Sequence, residues 1–386
     1  MYDQTSMRMA EYHFSMLLDA ARVAAFRRAV EAVVRPGDVV MDLGSGTGLL
    51  AFMALRAGAR CVYAVEEGVI IALAQEVARA NGLADRVVWL HDRSTRVTLP
   101  EPVDVVLSET IGNFGLDEGI VEWLADAARR HLKPGGRVVP QGLTLWAAPV
   151  ELPAAYAYVR AWDAPLAGFD FGPARQVAAN LLYFAGFGPE ALLGPGRPWA
   201  AVRLPEASPH AVAGSVTLEC RRAGALHGIG GWFEADLAPG VAVSNGPEAA
   251  TTSWSRGFLP LGRAVEVQPG DQVEVTLAAH ANGSLWRWQG RCVRPTPGGP
   301  VLLATFSHHT LAGQLVPIQT LRKRRAESTP TLTPLGEAKR FAMAQMDGQT
   351  SLQEIADRLM ARFPERFSRW EDALSLAGDV AARYGH

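Results

Sequence analysis

Cysteine, excess charge of one sign and long apolar runs are all scarce in this sequence. Its three cysteines, Cys61, Cys220 and Cys292, stand far apart and have neither CxxC nor Cys/His spacing. This spacing predicts neither a disulfide framework nor a metal site. Thirty-seven basic and 39 acidic residues give a net charge of −2, which creates no global field that would hold a polyanion. Nucleic acid is therefore not an expected partner.

The second scarcity concerns membranes. No stretch of about 18 apolar residues runs without a charge, and the first residues, MYDQTSMRMAEYHF, contain no apolar signal-peptide core. We therefore expect a soluble, unexported, cytoplasmic protein without membrane contact. The 386 residues are 48% hydrophobic, and at roughly 100–200 residues per domain this length predicts two or three domains with ample core.

The first part of the sequence alternates strands with helices. Helical spacing over residues 13–34 ends at Pro36-Gly37, and a strand over 39–43 then runs through a glycine turn into the helical LLAFMALRAGA. The segments CVYAVE, IIALAQEVARANG, RVVWLH and VDVVLSE continue the alternation. This pattern predicts an α/β fold with a doubly wound, Rossmann-like parallel sheet.

After about residue 150 the periodicity becomes that of antiparallel β structure. The strands AVAGSVTLECRR, GIGGWFEADL, QVEVTLAAH, SLWRWQGRCV and VLLATFSHH predict a β-barrel or sandwich, with Trp286 and Trp288 packed inside it. We expect residues 153–198 to be an insertion. From about residue 330 the pattern is helical, and Thr350-Ser351 with Glu354 predicts a capping box.

The glycine turn is the first candidate binding site. Gly44, Gly46 and Gly48 allow the backbone to turn sharply after a strand and to approach a ligand closely. Asp42 and Glu66 sit at the ends of successive strands, where carboxylates suit ribose hydroxyls. The nicotinamide pattern GxGxxG would need glycine at position 49, which is leucine.

This arrangement resembles the class I S-adenosylmethionine (SAM) methyltransferases. The resemblance implies SAM as cofactor and S-adenosylhomocysteine as product. It also implies adenine contacts from Asp92 and Ser94, which follow the strand RVVWLH. Alternatively, Asp92 only caps a turn.

Two glutamates form the second candidate site. Glu109 and Glu118 lie nine positions apart and bracket the loop TIGNFGLD. Two carboxylates can hold a planar guanidinium by paired, charge-assisted hydrogen bonds. The pair resembles the double-glutamate loop of the protein arginine methyltransferases, which implies that Glu109 and Glu118 bind the acceptor guanidinium.

Further positions agree with this resemblance, which covers about residues 10–320. The helix before the sheet has that family's order of residues: His13, Met16, Leu17, Asp19, Arg22 and Phe26. The resemblance implies that Arg22 pairs with the SAM carboxylate and that Trp254, in a loop similar to Thr-His-Trp, walls the pocket. Ser253 replaces the loop's histidine, and the expected Tyr-Phe-x-x-x-Tyr motif before His13 is missing, with only Tyr2 and Tyr12 nearby.

The periodicity and this resemblance together predict four regions. They are an N-terminal helical segment and cofactor lid over 1–35, a SAM-binding Rossmann-like domain over 36–140, a β-barrel over 141–329 and a helical module over 330–386. Trp162 and the stretch GFDF at 168–171 are similar to a dimerisation arm, which implies a homodimer formed through about 153–198.

The terminal module resembles winged-helix-like, peptide-binding domains of the PqqD type, on the stretch MDGQTSLQEIADRLMARFP. Residues 331–386 hold seven basic and eight acidic residues, whereas a phosphate-reading module should be basic. We therefore expect this module to hold a protein or peptide substrate. A purely structural packing role is the alternative.

Together these features predict a SAM-dependent N-methyltransferase that modifies an arginine guanidinium of a protein or peptide. Two other hypotheses stay open. The acceptor is another nitrogen, on a peptide or a small natural-product precursor, or the chain is a catalytically silent binding scaffold. The sequence does not decide between mono- and dimethylation.

Overall fold

The computed structural model describes residues 4–206, 211–315 and 317–385. Tyr2 of the sequence prediction lies outside them. The chain divides into two compact units, Met1–Gln314 and Leu315–His386. Among the described residues, no helix combines the length and apolar character needed to cross a bilayer.

The first unit begins with two helices and a parallel sheet. Its elements are α1 Gln4–Leu17, α2 Ala20–Val33, β1 Val39–Leu43, α3 Leu49–Arg56, β2 Cys61–Val65, α4 Ile71–Ala80, a 3₁₀ turn Ala84–Arg86, β3 Val87–Leu90, β4 Val103–Ser108, α5 Ile120–His131 and β5 Leu132–Val139. The strand order is β3-β2-β1-β4-β5, and all neighbours run parallel. The predicted Rossmann-like sheet is therefore confirmed.

The sheet brings the carboxyl ends of β1, β2, β3 and β4 to one edge. In such sheets ligands bind outside these ends, where the strand order reverses. The reversal lies between β1 and β4, because β2 and β3 are on one side of β1 and β5 is on the other. The loops that carry the predicted site residues therefore face one crevice.

The single helix expected over 13–34 is wrong. The chain breaks between α1 and α2, and the carboxylate of Asp19 caps α2 by accepting a hydrogen bond from the backbone N–H of Arg22 at 3.0 Å. Aspartate is a favoured N-cap residue because its side chain satisfies an amide that the first helical turn leaves without a partner.

Two antiparallel sheets follow. Their strands are β6 Gly142–Val150, β7 Tyr183–Ala185, β8 Arg197–Arg203, β9 Ala211–Glu219, β10 Gly224–Ala238, β11 Val241–Ser244, β12 Arg256–Val267, β13 Gln272–His280, β14 Trp286–Arg294 and β15 Val301–His309. One sheet has the order β7-β12-β10-β6-β8 with β11 beside β10, and the other has the order β15-β14-β13-β9. The expected antiparallel domain is present as two sheets.

The core of this domain lies between the sheets. Trp286 and Trp288 are buried, as predicted, while Arg287 between them is exposed. The indole N–H of Trp288 donates to the carbonyl of Pro260 on β12 at 2.8 Å. This bond joins strands of the two sheets.

The insertion after β6 contains α6 Pro153–Arg160, α7 Gly172–Ala178, β7 and a 3₁₀ turn Pro189–Ala191. It is not a separate body, because β7 pairs with β12 and Tyr156 packs with Val150 and Phe258 of the sheet. Its tip is different: Phe169 is 68% exposed. The short helix α8 Thr310–Gly313 follows β15.

The second unit contains helices α9 Ile318–Lys323, α10 Pro334–Ala344, α11 Leu352–Arg362 and α12 Trp370–Tyr384. Ala338, Ile355, Leu359 and Ala377 form its core. The predicted capping box is confirmed: the Ser351 hydroxyl accepts from the Glu354 N–H at 3.2 Å, and the Glu354 carboxylate accepts from the Ser351 N–H at 2.9 Å.

Candidate functional site

The carboxyl ends of β1 to β4 open onto one cavity of about 530 Å³. Most of the residues predicted from the sequence line it: Arg22, Asp42, Gly44, Gly46, Glu66, Asp92, Ser94, Glu109 and Glu118. Two predicted residues do not line it: Gly48 precedes α3, and Trp254, expected to wall the pocket, packs beneath Arg22. The fold therefore gathers residues that are far apart in sequence around a single space.

The glycine loop after β1 lines this cavity. Gly44 has φ +71°, and a Cβ atom there would lie 2.7 Å from Cγ2 of Thr110. Gly48 has φ +83°, and a Cβ there would lie 2.7 Å from the ring of Phe52. Side chains are excluded at both positions by backbone conformation and by space. Gly44 therefore exposes its backbone to the cavity, beside the side chains of Ser45 and Thr47.

Asp42 and Glu66 hold the loop in different ways. Asp42 is fully buried, and one of its oxygens accepts from the N–H of Ala51 at 2.9 Å. Both oxygens of Glu66 accept from backbone amides, from Gly46 at 2.9 Å and from Gly68 at 2.6 Å. Burial raises the pKa of Asp42 to about 7, because a low-dielectric environment disfavours the charged form.

The residues fit a SAM molecule. Among the described residues, Oδ1 of Asp42 and the hydroxyl of Ser45 are buried polar atoms without a hydrogen-bond partner, and both residues line the cavity. The ammonium and ribose hydroxyls of SAM are donors that such oxygens can accept. Buried polar atoms normally have partners, so these two atoms mark a place where a ligand would complete the hydrogen bonding.

Asp92 and Ser94 lie on the wall after β3. The exposed Asp92 carboxylate accepts from the N–H of Arg93 at 2.7 Å, and Arg130 donates to the carbonyl of Ser94 at 2.6 Å. Asp92 therefore accepts a local backbone hydrogen bond and also lines the cavity. Its contact with adenine stays a prediction.

Arg22 lines the cavity beside the first glutamate of the pair. It is buried, it forms an ion pair with Glu109, and its Nη1 donates to the hydroxyl of Ser253 at 3.1 Å. Its guanidinium carbon stacks over the ring of Trp254 at 4.3 Å. Burial lowers the pKa of Arg22 to about 10, so the side chain is still cationic at neutral pH. The predicted pairing of Arg22 with a SAM carboxylate is untested; in the structure its acidic partner is Glu109.

The loop between the two glutamates folds back on itself. The carboxylate of Asp117 accepts from the backbone N–H groups of Asn113 and Phe114 at 2.9 and 2.7 Å. Glycine is required at position 112, where a Cβ would lie 2.2 Å from Cγ of Asp117. This compact turn returns the chain to the cavity, so that Glu109 and Glu118 line the same space.

Residues of the antiparallel sheets fix this loop in place. Asn245, which is fully buried, donates to the carbonyls of Asn113 at 2.8 Å and Ser255 at 2.6 Å and accepts from the N–H of Phe233 at 2.9 Å. The indole N–H of Trp254 donates to the carbonyl of Ile111 at 2.9 Å. Both side chains hold the loop through its backbone carbonyls.

Ser253 connects its loop to Asp19 at the start of α2. Its backbone N–H donates to Oδ2 of Asp19 at 2.6 Å, while Oδ1 of the same carboxylate caps α2. Asp19 thus joins the helix before the parallel sheet to the loop before β12. Replacement of histidine by serine preserves this tie, because the main chain makes it.

Sequence reasoning missed several residues that shape the site. Glu118 accepts a hydrogen bond from the hydroxyl of Tyr12 at 2.8 Å, and burial raises the pKa of Glu118. Neither Tyr12 nor Asn245 was predicted to take part. Asp117 could have been found, since the stretch NFGLD has the asparagine, glycine and aspartate of a tight turn. The contacts of Tyr12 and Asn245 join distant segments and leave no local signal.

The sheet order, the glycine loop after β1 and the acids at the ends of β1 and β2 are similar to those of the class I SAM methyltransferases. Comparison with known proteins agrees. The profile of the family described as ribosomal protein L11 methyltransferase (PrmA) matches residues 27–146. Over 296 residues the chain is 29% identical to the "Probable protein arginine N-methyltransferase 6" of Arabidopsis thaliana, covering 71% of this chain and 66% of that protein.

Two further relatives have related names. An identity of 41% over 140 residues links the chain to the "Probable protein arginine N-methyltransferase 6.1" of Oryza sativa subsp. indica, but this covers only 36% of this chain and 37% of that protein. The "Arginine N(omega)-methyltransferase" of Streptomyces achromogenes subsp. streptozoticus is 29% identical over 273 residues, 69% of this chain and 75% of that protein.

A solved structure shares the fold. It is described as the Trypanosoma brucei PRMT1 enzyme-prozyme heterotetrameric complex with AdoHcy, and it matches with a TM-score of 0.68 at 20% identity, over 77% of this chain and 97% of that chain. At this identity the likeness establishes the fold. The expected resemblance to the protein arginine methyltransferases is therefore confirmed in sequence similarity and in architecture.

Proposed function

We propose that this protein is a SAM-dependent N-methyltransferase whose acceptor is an arginine guanidinium. One observation carries the proposal: Glu109 and Glu118 line the cavity that also contains the glycine loop. Among the described residues, Oε1 of Glu109 is buried and has no hydrogen-bond partner. An unsatisfied carboxylate oxygen at this position suits a donor as strong as a guanidinium N–H.

The residues divide the work between two ends of the cavity. Asp42, Glu66, Arg22 and the glycines at 44, 46 and 48 would hold SAM, with Asp92 and Ser94 near its adenine. When bound, SAM supplies an activated methyl group on a sulfonium. Glu109 and Glu118 would hold the acceptor, with Trp254 supporting Arg22 from below.

The two acids address a chemical difficulty. Guanidinium is protonated at ordinary pH and is a poor nucleophile. Carboxylates that accept from it favour positive charge on the bound nitrogens and leave electron density on the remaining one. They also orient that nitrogen, and orientation is a large catalytic term when the donor is already activated. Because burial raises the pKa of Glu118, this carboxylate is a suitable acceptor for the proton released after transfer.

The test is incubation with methyl-labelled SAM and three acceptors: free arginine, an arginine-containing peptide and a histidine-containing peptide. One relative is named as an arginine methyltransferase without the word protein, so free arginine belongs in the set. Label on arginine, located by mass spectrometry, is the expected result. Label on histidine alone would reject the arginine assignment and favour another nitrogen as acceptor.

Calorimetry separates an enzyme from a silent scaffold. We expect S-adenosylhomocysteine to bind wild type at micromolar concentration and Glu66→Ala to abolish this binding. The absence of heat with both SAM and S-adenosylhomocysteine would favour the scaffold.

We further propose that the protein is a homodimer joined through the insertion at 153–198. The support is the exposed apolar tip of the insertion, where Leu166 is 56% and Phe169 68% exposed. Deletion of the whole insertion is not a clean test, because β7 belongs to a sheet. Phe169→Ser should shift sedimentation toward monomer, whereas Leu302→Ser, at a leucine that is 58% exposed on β15, should not.

For the second unit we propose that it holds a peptide substrate, as winged-helix-like domains of the PqqD type do. We also propose that the protein is cytoplasmic. The support for a peptide-holding role is the slight acidic excess of residues 331–386, with seven basic and eight acidic side chains, and the exposed Leu352 and Trp370, which are 41% and 36% accessible. A chain that ends at residue 329 should show a raised KM for the peptide acceptor and an unchanged KM for free arginine. If truncation changed the KM for the peptide and the KM for free arginine by the same factor, the unit would have only a structural packing role.

A further inference from the structure

Tyr12 links the first helix to the loop from Glu109 to Glu118, which we call the acceptor loop. Its hydroxyl donates to Oε1 of Glu118 at 2.8 Å, across 106 positions of sequence. Both residues line the cavity. The tyrosine is 50% exposed, and its ring meets the imidazole of His13 edge-on at 5.8 Å. Tyr12 therefore lies partly exposed at the edge of the cavity, and its hydroxyl contacts the cavity residue Glu118.

Glu118 is surrounded by groups with opposite effects on its charge. Burial raises the pKa of Glu118 most, the hydrogen bond from Tyr12 lowers it, the charge of Asp117 raises it and that of Arg22 lowers it. Glu109, Glu122 and His13 line the same cavity. Among the described residues, Tyr12 makes the one hydrogen bond to this carboxylate, so no other described group restrains its rotation in this way.

We propose that Tyr12 is a positioning residue that holds Glu118 as a carboxylate with one oxygen occupied and the other available to the acceptor guanidinium. The inference rests on the proposed function and adds a residue to it. A hydroxyl donor stabilises the charged form of its partner, and a fixed acceptor geometry lowers the entropy lost when the guanidinium binds. The partly exposed ring also covers the acceptor end of the cavity.

The phenol itself does not act as a base. Burial, and then the charge of Glu118, raises the pKa of Tyr12 well above its ordinary value, so the hydroxyl remains a donor throughout the physiological range. Its contribution is made through Glu118, and it should disappear when Glu118 is neutral.

The experiment is a double-mutant cycle with Tyr12→Phe, Glu118→Gln and the double variant. Tyr63→Phe is the matched control, because the Tyr63 hydroxyl donates to another glutamate, Glu101, at 3.3 Å. Two readouts are needed. One is the pH dependence of kcat and KM for the arginine peptide, and the other is calorimetric binding of that peptide to the S-adenosylhomocysteine complex, with a lysine-substituted peptide as reference.

We expect Tyr12→Phe to weaken peptide binding and to raise KM about tenfold, the usual effect of losing a hydrogen bond to a charged group, with a smaller change in kcat. The acidic limb of kcat/KM should move to higher pH, because removal of the donor raises the pKa of Glu118. In the Glu118→Gln background the tyrosine change should have little further effect, and Tyr63→Phe should resemble wild type.

Additive losses in the double variant, or an unmoved acidic limb, would overturn the assignment of Tyr12. Failure of the wild-type complex to bind the arginine peptide more tightly than the lysine peptide would also overturn it. A wild-type protein that binds the arginine peptide but never methylates it would refute the proposed function alone, since the cycle in binding energy would still report on Tyr12.

Discussion

The guanidinium carbon of Arg22 lies 4.3 Å from the ring centroid of Trp254. Through this contact, the ion pair with Glu109 and the hydrogen bond to Ser253, one arginine joins α2, the acceptor loop and the loop before β12. Residues that share partners in this way are energetically coupled. Substitutions at any of them should therefore be judged by binding and stability as well as by rate.

Glu109→Gln should reduce turnover at least roughly a hundredfold, about 2.7 kcal/mol of transition-state stabilisation, because glutamine keeps the shape of the side chain and lacks its charge. Cofactor affinity, measured by calorimetry with S-adenosylhomocysteine, should stay nearly intact. Glu122→Gln is the control, since Glu122 lines the same cavity and has no assigned role. A parallel loss of cofactor affinity and rate would contradict the acceptor role of Glu109.

Asp42→Asn should change how stability depends on pH. The pKa of Asp42 is about 7 when folded against an ordinary 3.8, so between these values the folded protein binds a proton that the unfolded chain does not. The contribution of Asp42 to the free energy of unfolding is therefore greatest at low pH, and it falls as pH rises from 3.8 to about 7. In cofactor-free protein, the Tm of Asp42→Asn should decline less than that of wild type from pH 4 to pH 7. At pH 8 the Tm of the variant should be higher than that of wild type. The exposed Asp85→Asn serves as reference, and parallel Tm curves for Asp42→Asn and wild type would refute the expectation.

Trp254→Phe should destabilise the protein by about 1–3 kcal/mol beyond the loss of ring area, because the carbonyl of Ile111 loses its indole donor. Trp286→Phe is a matched comparison, since among the described residues the buried indole nitrogen of Trp286 has no hydrogen-bond partner. Urea denaturation of both variants gives the difference. Equal destabilisation would mean that the hydrogen bond to the acceptor loop contributes nothing measurable.

Asn245→Leu should cost about 2–4 kcal/mol, because it leaves buried backbone groups of three segments without partners. The amide of Phe233 should exchange faster with deuterium, and kcat/KM should fall while cofactor affinity is kept. The exposed Asn81→Leu provides the control. Normal exchange at Phe233 would show that another acceptor replaces Asn245.

The parallel sheet and the cofactor end of the site could be predicted because their signals are local. A strand followed by glycines at 44, 46 and 48 has few other structural solutions, and acids at strand ends meet at one edge whenever the sheet is parallel. The capping box of Ser351 and Glu354 is equally local. The resemblance to the arginine methyltransferases predicted Arg22 as a site residue, and Arg22 lines the cavity, but its acidic partner in the structure, Glu109, was not foreseen.

The remaining features depend on which distant segments the packing of three sheets brings together. Tyr12 reaches Glu118 across 106 positions, Asn245 reaches Asn113 across 132, and Arg22 reaches Ser253 across 231. No periodicity or spacing encodes such contacts, because they form only when distant segments pack together in the folded chain. The sequence by itself determined which chemical groups the protein carries and which strand ends bear them; only the tertiary structure decided which of those groups face each other, because non-local packing fixes the distances.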